Sequence, residues 1–393
     1  MTTLHDPGRH EPLAGGTWDE GRARAFVTAI VEDTERAAAA GPLWPVHPGD
    51  GGAAGPATGV YLGAAGVCWA LDRLAVRGWA QLSAPWRERA GALVEIARAT
   101  PETGTREPSY FLGEAGVLAV ADRDPDALFA VIESNIEHPA VEPLWAAPGT
   151  MLPALFQYRR TGEARWRELW LRNYRHLVDR WQYATDAGCY LWTQHLYGEL
   201  VRLTGAGHGF AGNTYALLCG LDLLPADEAA VVVGRARDSL LATAIRRDGL
   251  ANWLPHVGRA RAGREAILVQ WCHGAPGMVT SLAALPADPD TDRVLEEAGA
   301  MTWHAGPLAK GPGLCHGTAG NGYALLKLHQ RTGDAVWLER ARRFAMHAIG
   351  QSEAARAQHR RGRYSLWTGD LGVALYLADC ASGGADVPAL DSL

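Results

Sequence analysis

The sequence predicts an all-α protein, an α/α toroid built as a double ring of about seven inner and seven outer helices. Three observations carry that expectation. A short phrase rich in Gly and Ala recurs seven times. Each copy leads into an apolar helical stretch, followed in the clearest units by a turn and a more polar helix. Strand signals are weak, and the best β-branched run, residues 230–233, sits equally well in a helix. Repeats spaced 33 to 65 residues apart mean stacked or circular arrays of one supersecondary unit. A linear solenoid would spread the phrases along a ridge, whereas a closed ring gathers them around one mouth.

In chain order, residues 1–16 read as a flexible leader, residues 18–40 as an amphipathic helix, and residues 42–56, rich in Gly and Pro, as a loop. The first phrase is Tyr61-Leu62-Gly63-Ala64-Ala65-Gly66 and the second Phe111-Leu112-Gly113-Glu114-Ala115-Gly116. The third is Trp145-Ala146-Ala147-Pro148-Gly149 and the fourth His208-Gly209-Phe210-Ala211-Gly212. Two Cys-His phrases follow, and Trp367-Thr368-Gly369-Asp370-Leu371-Gly372 is the last. Two units also share the turn between their helices: Arg160-Thr161-Gly162-Glu163 echoes Arg331-Thr332-Gly333-Asp334, each acidic residue standing where it can cap a helix or favour its dipole. Residues 17–385 are therefore expected to form one toroid domain, with residues 386–393 as a tail.

Composition narrows the function. A net charge of −6 over 393 residues offers no basic excess to neutralise phosphates, which argues against nucleic acid. Six cysteines are too few for a disulfide scaffold, and the polar residues 1–16 hold no apolar signal segment, so a reduced, cytoplasmic setting is expected. No apolar run approaches the ~20 residues of a membrane helix. Fifteen tryptophans point to aromatic-lined pockets or interhelical packing.

The chemistry concentrates in Gln270-Trp271-Cys272-His273-Gly274-Ala275-Pro276-Gly277 and Gly313-Leu314-Cys315-His316-Gly317-Thr318-Ala319-Gly320. A thiolate beside an imidazole, repeated where Gly-rich turns allow close approach, suits a soft tetrahedral metal, zinc first. Cys272, Cys315 and His316 are three good ligands and His273 is a fourth candidate. Three would leave a position open for water or substrate, and four would close the site. The spacing of the cysteines matches no zinc finger, which favours a site assembled by tertiary structure. The plainer alternative is two buried thiols beside core histidines.

These two phrases, with Gly205-Ala206-Gly207-His208-Gly209-Phe210-Ala211-Gly212, resemble those of the lanthionine synthetase C-like family, and the seven phrases extend the resemblance from about Tyr61 to Ala378. The resemblance implies an α/α toroid with Zn2+ at its mouth, held by Cys272, Cys315 and His316, leaving His273 unligated. It implies a zinc-activated thiol adding to the β-carbon of a dehydroalanine or dehydrobutyrine residue, with a thioether as product. His208 matches the family's acid or base histidine, and an imidazole, with its unperturbed pKa near ~6.5, suits proton transfer to the enolate. Glu142 stands where bacterial lantibiotic cyclases have an aspartate and the eukaryotic-type relatives a glutamate. Leu268 and His273 replace an Arg and a Tyr of the dedicated cyclases, so the sequence is closer to the eukaryotic-type relatives. In those a Lys contacts glutathione at the position of Lys310, where a cation could hold a carboxylate.

The expected reaction is thus zinc-dependent addition of a thiol, either a peptide cysteine or glutathione, to a dehydrated peptide or protein, with dehydration left to a separate dehydratase. A non-catalytic, zinc-stabilised scaffold binding a peptide or protein is the alternative, although it gives His208 no task. An α/α toroid glycosidase would need paired carboxylates. Glu114 and Asp370 lie inside phrases, but that reading leaves the Cys-His pairs idle. Residues 353–363 carry four arginines that could dock an acidic leader peptide or simply form a solvated helix end.

Overall fold

The computed structural model describes residues 3–38, 43–50, 57–258 and 266–393. The end of the expected first helix and part of the expected loop after it (residues 39–42 and 51–56) lie outside these. In chain order the helices are α1 (Glu20–Ala38), α2 (Ala64–Val76), α3 (Trp86–Arg89), α4 (Leu93–Ala99), α5 (Glu114–Ala121), α6 (Pro125–Ser134), α7 (Ala147–Thr161) and α8 (Ala164–Asp179). There follow α9 (Phe210–Cys219), α10 (Ala226–Thr243), α11 (Ala275–Leu282), α12 (Pro289–Ala305), α13 (Thr318–Thr332), α14 (Ala335–His359) and α15 (Asp370–Ser382).

Each of the seven phrases runs into one helix of an inner ring: α2, α5, α7, α9, α11, α13 and α15. Consecutive members touch, and α15 returns to α2, which closes the ring. The inner helices are apolar nearly all round, α11 and α15 being buried along almost their whole length, as helices enclosed on every side must be. An outer layer covers them: α4 and α6 on α5, α8 on α7, α10 on α9, α12 on α11 and α14 on α13. α3 lies on α2, and the last outer helix comes from the far end of the chain, since α1 packs on α15. Residues 230–233 lie within α10.

The phrases are loops that fold back on their own helices. At Gly66, Gly116, Gly149, Gly212, Gly277, Gly320 and Gly372, a methyl group would drive into the carbonyl oxygen of the residue six positions earlier. Only Gly leaves room for that approach, which is why the phrase repeats. The loops are also sewn together around the mouth. The backbone N–H of Gly207 donates to the Cys272 carbonyl, Cys272 to Cys315, Cys315 to Trp367, Trp367 to Tyr61 and Tyr61 to Phe111, at 3.0 to 3.2 Å. Ser109 Oγ to the Leu144 carbonyl (2.6 Å) and Asn213 Nδ2 to the Val141 carbonyl (2.9 Å) complete the circle through the third phrase.

Three short hairpins interrupt the helices among the described residues: β1 (Gln182–Ala184) with β2 (Cys189–Leu191), β3 (Gln194–Leu196) with β4 (Glu199–Val201), and β5 (Ile245–Arg247) with β6 (Leu250–Asn252). The expected flexible leader is docked instead. Leu4 is buried and its carbonyl accepts from Asn252 Nδ2, while the backbone of Arg9 and Glu11 bonds to Ala309 and Pro307. The expected tail is also held. Val387, Ala389 and Leu390 are buried, Asp391 accepts from Tyr215 and Lys327, and Tyr110 donates to the Ala389 carbonyl.

Candidate metal centre and mouth

Aligned on the first small residue of each phrase, the position two before it is Tyr61, Phe111, Leu144, Gly207, Cys272, Cys315 and Trp367, and the next is Leu62, Leu112, Trp145, His208, His273, His316 and Thr368. The two thiols and the three imidazoles therefore occupy equivalent places on adjoining loops. Gly207 takes the thiol position in the fourth loop because a side chain there would strike Cys272 Cβ, 2.9 Å away. Gly274, which caps α11, has φ +113°, open to Gly and strained for other residues.

The Sγ atoms of Cys272 and Cys315 and a ring nitrogen of His316 lie within 4.8 Å of one another. Both thiols are buried and His316 is half-buried. Gln270 Nε2 donates to Cys272 Sγ at 3.0 Å, and the Tyr61 side chain lies beside the Cys315 thiol. A hydrogen bond from Cys315 holds the Cys272 thiol well below its ordinary range despite burial, with help from His316 and His273. The same bond, together with burial, pushes Cys315 up. A bound cation would favour the thiolate form of both sulfurs. Zinc bound to sulfur at about 2.3 Å and to nitrogen at about 2.0–2.1 Å requires tetrahedral edges of roughly 3.3–3.8 Å. The donor set fits zinc in atom type and, with small side-chain adjustment, in spacing.

On the next loop, His208 Nδ1 lies 2.8 Å from Glu142 Oε2. Glu142 is completely buried, and its carboxylate also accepts from the backbone N–H of Leu144 (3.1 Å) and Trp145 (2.7 Å). A carboxylate so placed takes the Nδ1–H tautomer and leaves Nε2 as the basic nitrogen. The His208 ring stacks on His273 with centres 5.8 Å apart.

Two clefts open at the mouth and share Lys310, an exposed residue of the loop between α12 and α13 whose charge also acts on Cys315. The smaller, about 470 Å3, is lined by His208, His273, Gln270, Arg9 and Tyr197. The larger, about 770 Å3, is lined by His316 and by Arg356, Arg361 and Arg363 of the arginine-rich stretch. Arg356 pairs with Asp33 and Asp370, Arg363 pairs with Asp50, and Arg361 donates to the Val46 carbonyl. The carboxylates weighed for a glycosidase are engaged as well: Arg98 and Arg106 hold Glu114, and Arg356 and the Arg363 backbone hold Asp370. Gln270, Tyr61 and Gly207 escaped the reading of the sequence, although alignment of the phrases would have placed Tyr61 beside the cysteines.

A family model described as lanthionine synthetase C-like protein matches residues 146–391, the third phrase to the tail. Glutathione S-transferase LANCL1 of Danio rerio is 33% identical over 199 residues, 48% of this chain and 44% of that protein. LanC-like protein GCL1 of Arabidopsis thaliana is 37% identical over 155 residues, 37% of this chain and 32% of that protein. The chain thus spans less than half the length of these curated relatives. Among solved structures, nisin cyclase superposes with a TM-score of 0.64 at 14% identity, over 92% of this chain and 97% of that one, a likeness of fold.

Proposed function

The chain belongs to the lanthionine synthetase C-like family, and from that premise we propose that it catalyses zinc-dependent addition of a thiol to dehydroalanine or dehydrobutyrine in a peptide or protein, forming a thioether. The observation that carries this reading is the juxtaposition, on adjoining loops of one mouth, of the Cys272, Cys315 and His316 donor set with the buried Glu142–His208 pair. Zinc held by Cys272, Cys315 and His316 would favour the thiolate form of an incoming thiol at neutral pH.

The chain's own groups supply the proton traffic. As the S–H bond breaks, His208 Nε2 accepts the proton, and the sulfur lone pair forms the C–S bond at the β-carbon. The π pair of the alkene moves toward the α-carbon and its carbonyl as an enolate. His208 then returns the proton to the α-carbon, so thiol and alkene combine without a leaving group. Glu142 keeps the imidazole in the required tautomer and stabilises its charged form. Lys310, which lines both clefts, would hold a carboxylate of the thiol donor.

Glutathione and a peptide cysteine share this chemistry. The Lys310 ammonium, shared by both clefts, favours an anionic donor such as glutathione. A scaffold would not require the Glu142–His208 pair. Zinc analysis of wild type and Cys315→Ala, with mass spectrometry of a dehydroalanine peptide incubated with glutathione, tests the reading. One zinc per chain, lost in the variant, together with a glutathione adduct is the expected result. Reduced protein that takes up no zinc would overturn it.

A further inference from the structure

The proposed thiol addition, on which this inference rests, sets three sulfurs around one cation: Cys272, Cys315 and the thiol of the donor. The alkene is an electrophile for any of them. Attack by a ligand would alkylate the chain itself. The Sγ lone pair would form a C–S bond at the β-carbon, the π pair would move toward the carbonyl, and a proton from water would add at the α-carbon. The chain would gain the mass of the alkene, and an uncharged thioether would stand where zinc requires a thiolate. The site therefore has to make its own sulfurs poorer nucleophiles than the incoming one.

Gln270 meets that requirement at Cys272. Its Nε2 donates to Cys272 Sγ at 3.0 Å, and its side chain lines the cleft of His208 together with His273. Cys272 itself is buried. The backbone fixes the amide in place: Gln270 N–H donates to the His273 carbonyl and His273 N–H to the Gln270 carbonyl, both at 3.1 Å, so residues 270–273 turn tightly around Cys272. The segment entering that turn is anchored twice, since Asn252 Nδ2 donates to the Leu268 carbonyl (3.0 Å) and Asn321 Nδ2 to the Val269 carbonyl (2.9 Å). Cys315, also buried, has the Tyr61 side chain beside it instead. A hydrogen bond to a thiolate draws charge from the sulfur and lowers its nucleophilicity. We propose that Gln270 guards Cys272 against the electrophile, damping the ligand sulfur through the N–H···S bond and covering it on the cleft side, so that addition is directed to the donor's thiol. Gln270 acts through Cys272 and takes no part in bond making.

The test uses the zinc-loaded full chain without a donor thiol, as wild type, as Gln270→Leu, which keeps bulk without the N–H, and as Gln270→Ala, which loses both. Each is treated with iodoacetamide and, separately, with N-acetyl dehydroalanine methyl ester. Peptide mass mapping follows Cys272, and a chromophoric chelator follows zinc release. Iodoacetamide should alkylate Cys272 roughly 3- to 10-fold faster in Gln270→Leu than in wild type. Gln270→Ala should react faster still, with zinc released in step, and the dehydroalanine adduct should accumulate at Cys272 in both variants ahead of wild type. The half-buried Cys219 at the end of α9 is the internal standard and should react alike in all three. Equal Cys272 rates in zinc-bound wild type and both variants, or a rise shared by Cys219, would overturn the guard while leaving thiol addition standing. A wild-type chain that holds no zinc would overturn both.

Discussion

Glu142 owes the task proposed for it to its surroundings. A carboxylate with no exposure is costly unless fully bonded, and here two backbone N–H groups and an imidazole satisfy it. Replacing His208 with Asn should lower the rate of thioether formation roughly 10²–10⁴-fold while leaving zinc content unchanged. Glu142→Gln should lower it too, because an amide no longer stabilises a charged ring. Resemblance to a family supplied both residues, but their partnership was hidden in the chain: 66 positions separate them, and only the third and fourth loops meeting at the mouth bring them together. His47 gives a second prediction at this scale. Burial first, then Arg363 and His359, lower its pKa from 6.5 to about 4. Between those values the unfolded chain binds a proton that the folded one refuses, so stability falls as pH drops from 6.5 toward 4. Urea midpoints should fall less over that range in His47→Asn than in wild type.

At the scale of elements, the recurring glycines are a steric requirement of the fold-back loop rather than a mark of flexibility. Gly320→Ala would push a methyl into the Leu314 carbonyl, and should destabilise by well over ~2 kcal/mol. Gly350→Ala, within α14 with open space around it, should stabilise by up to ~1 kcal/mol. Thermal unfolding of the two variants separates these effects. The helical units were legible because each phrase announces an inner helix, and the shared turn is real: Gly162 and Gly333 both close their helices in the left-handed conformation. The acidic residues after them differ. Asp334 caps α14 through its side chain, whereas Glu163 lacks the cap bond and pairs with Arg165. The hairpins were missed although one carried a signal. Asp248-Gly249 joins β5 to β6 with both residues at positive φ, the local pattern of a two-residue turn. Three-residue strands are too short for alternation to stand out.

For the whole molecule, closure is the feature that sequence periodicity could suggest but not specify. The last inner helix meets the first, and α1, from near the start of the chain, covers α15 from near its end. Such pairings are set by non-local packing, as is the seating of residues 387–391 against Tyr110, Tyr215 and Lys327. Deleting residues 386–393 removes buried Val387 and Leu390, each worth about 1.5–3 kcal/mol, and should lower the unfolding temperature markedly. Closure also gathers the thiols, the imidazoles and the buried carboxylate into one mouth, so that the proposed metal holding and proton transfer would belong to a single site. The most direct test of that unity is the initial rate of thioether formation, followed by mass spectrometry, on a dehydroalanine peptide with glutathione for wild type, Cys315→Ala, His208→Asn and the double variant. If the residues act as one site, wild type forms the adduct and the double variant is little slower than the worse single variant. Equal rates for wild type and all three variants would contradict the account.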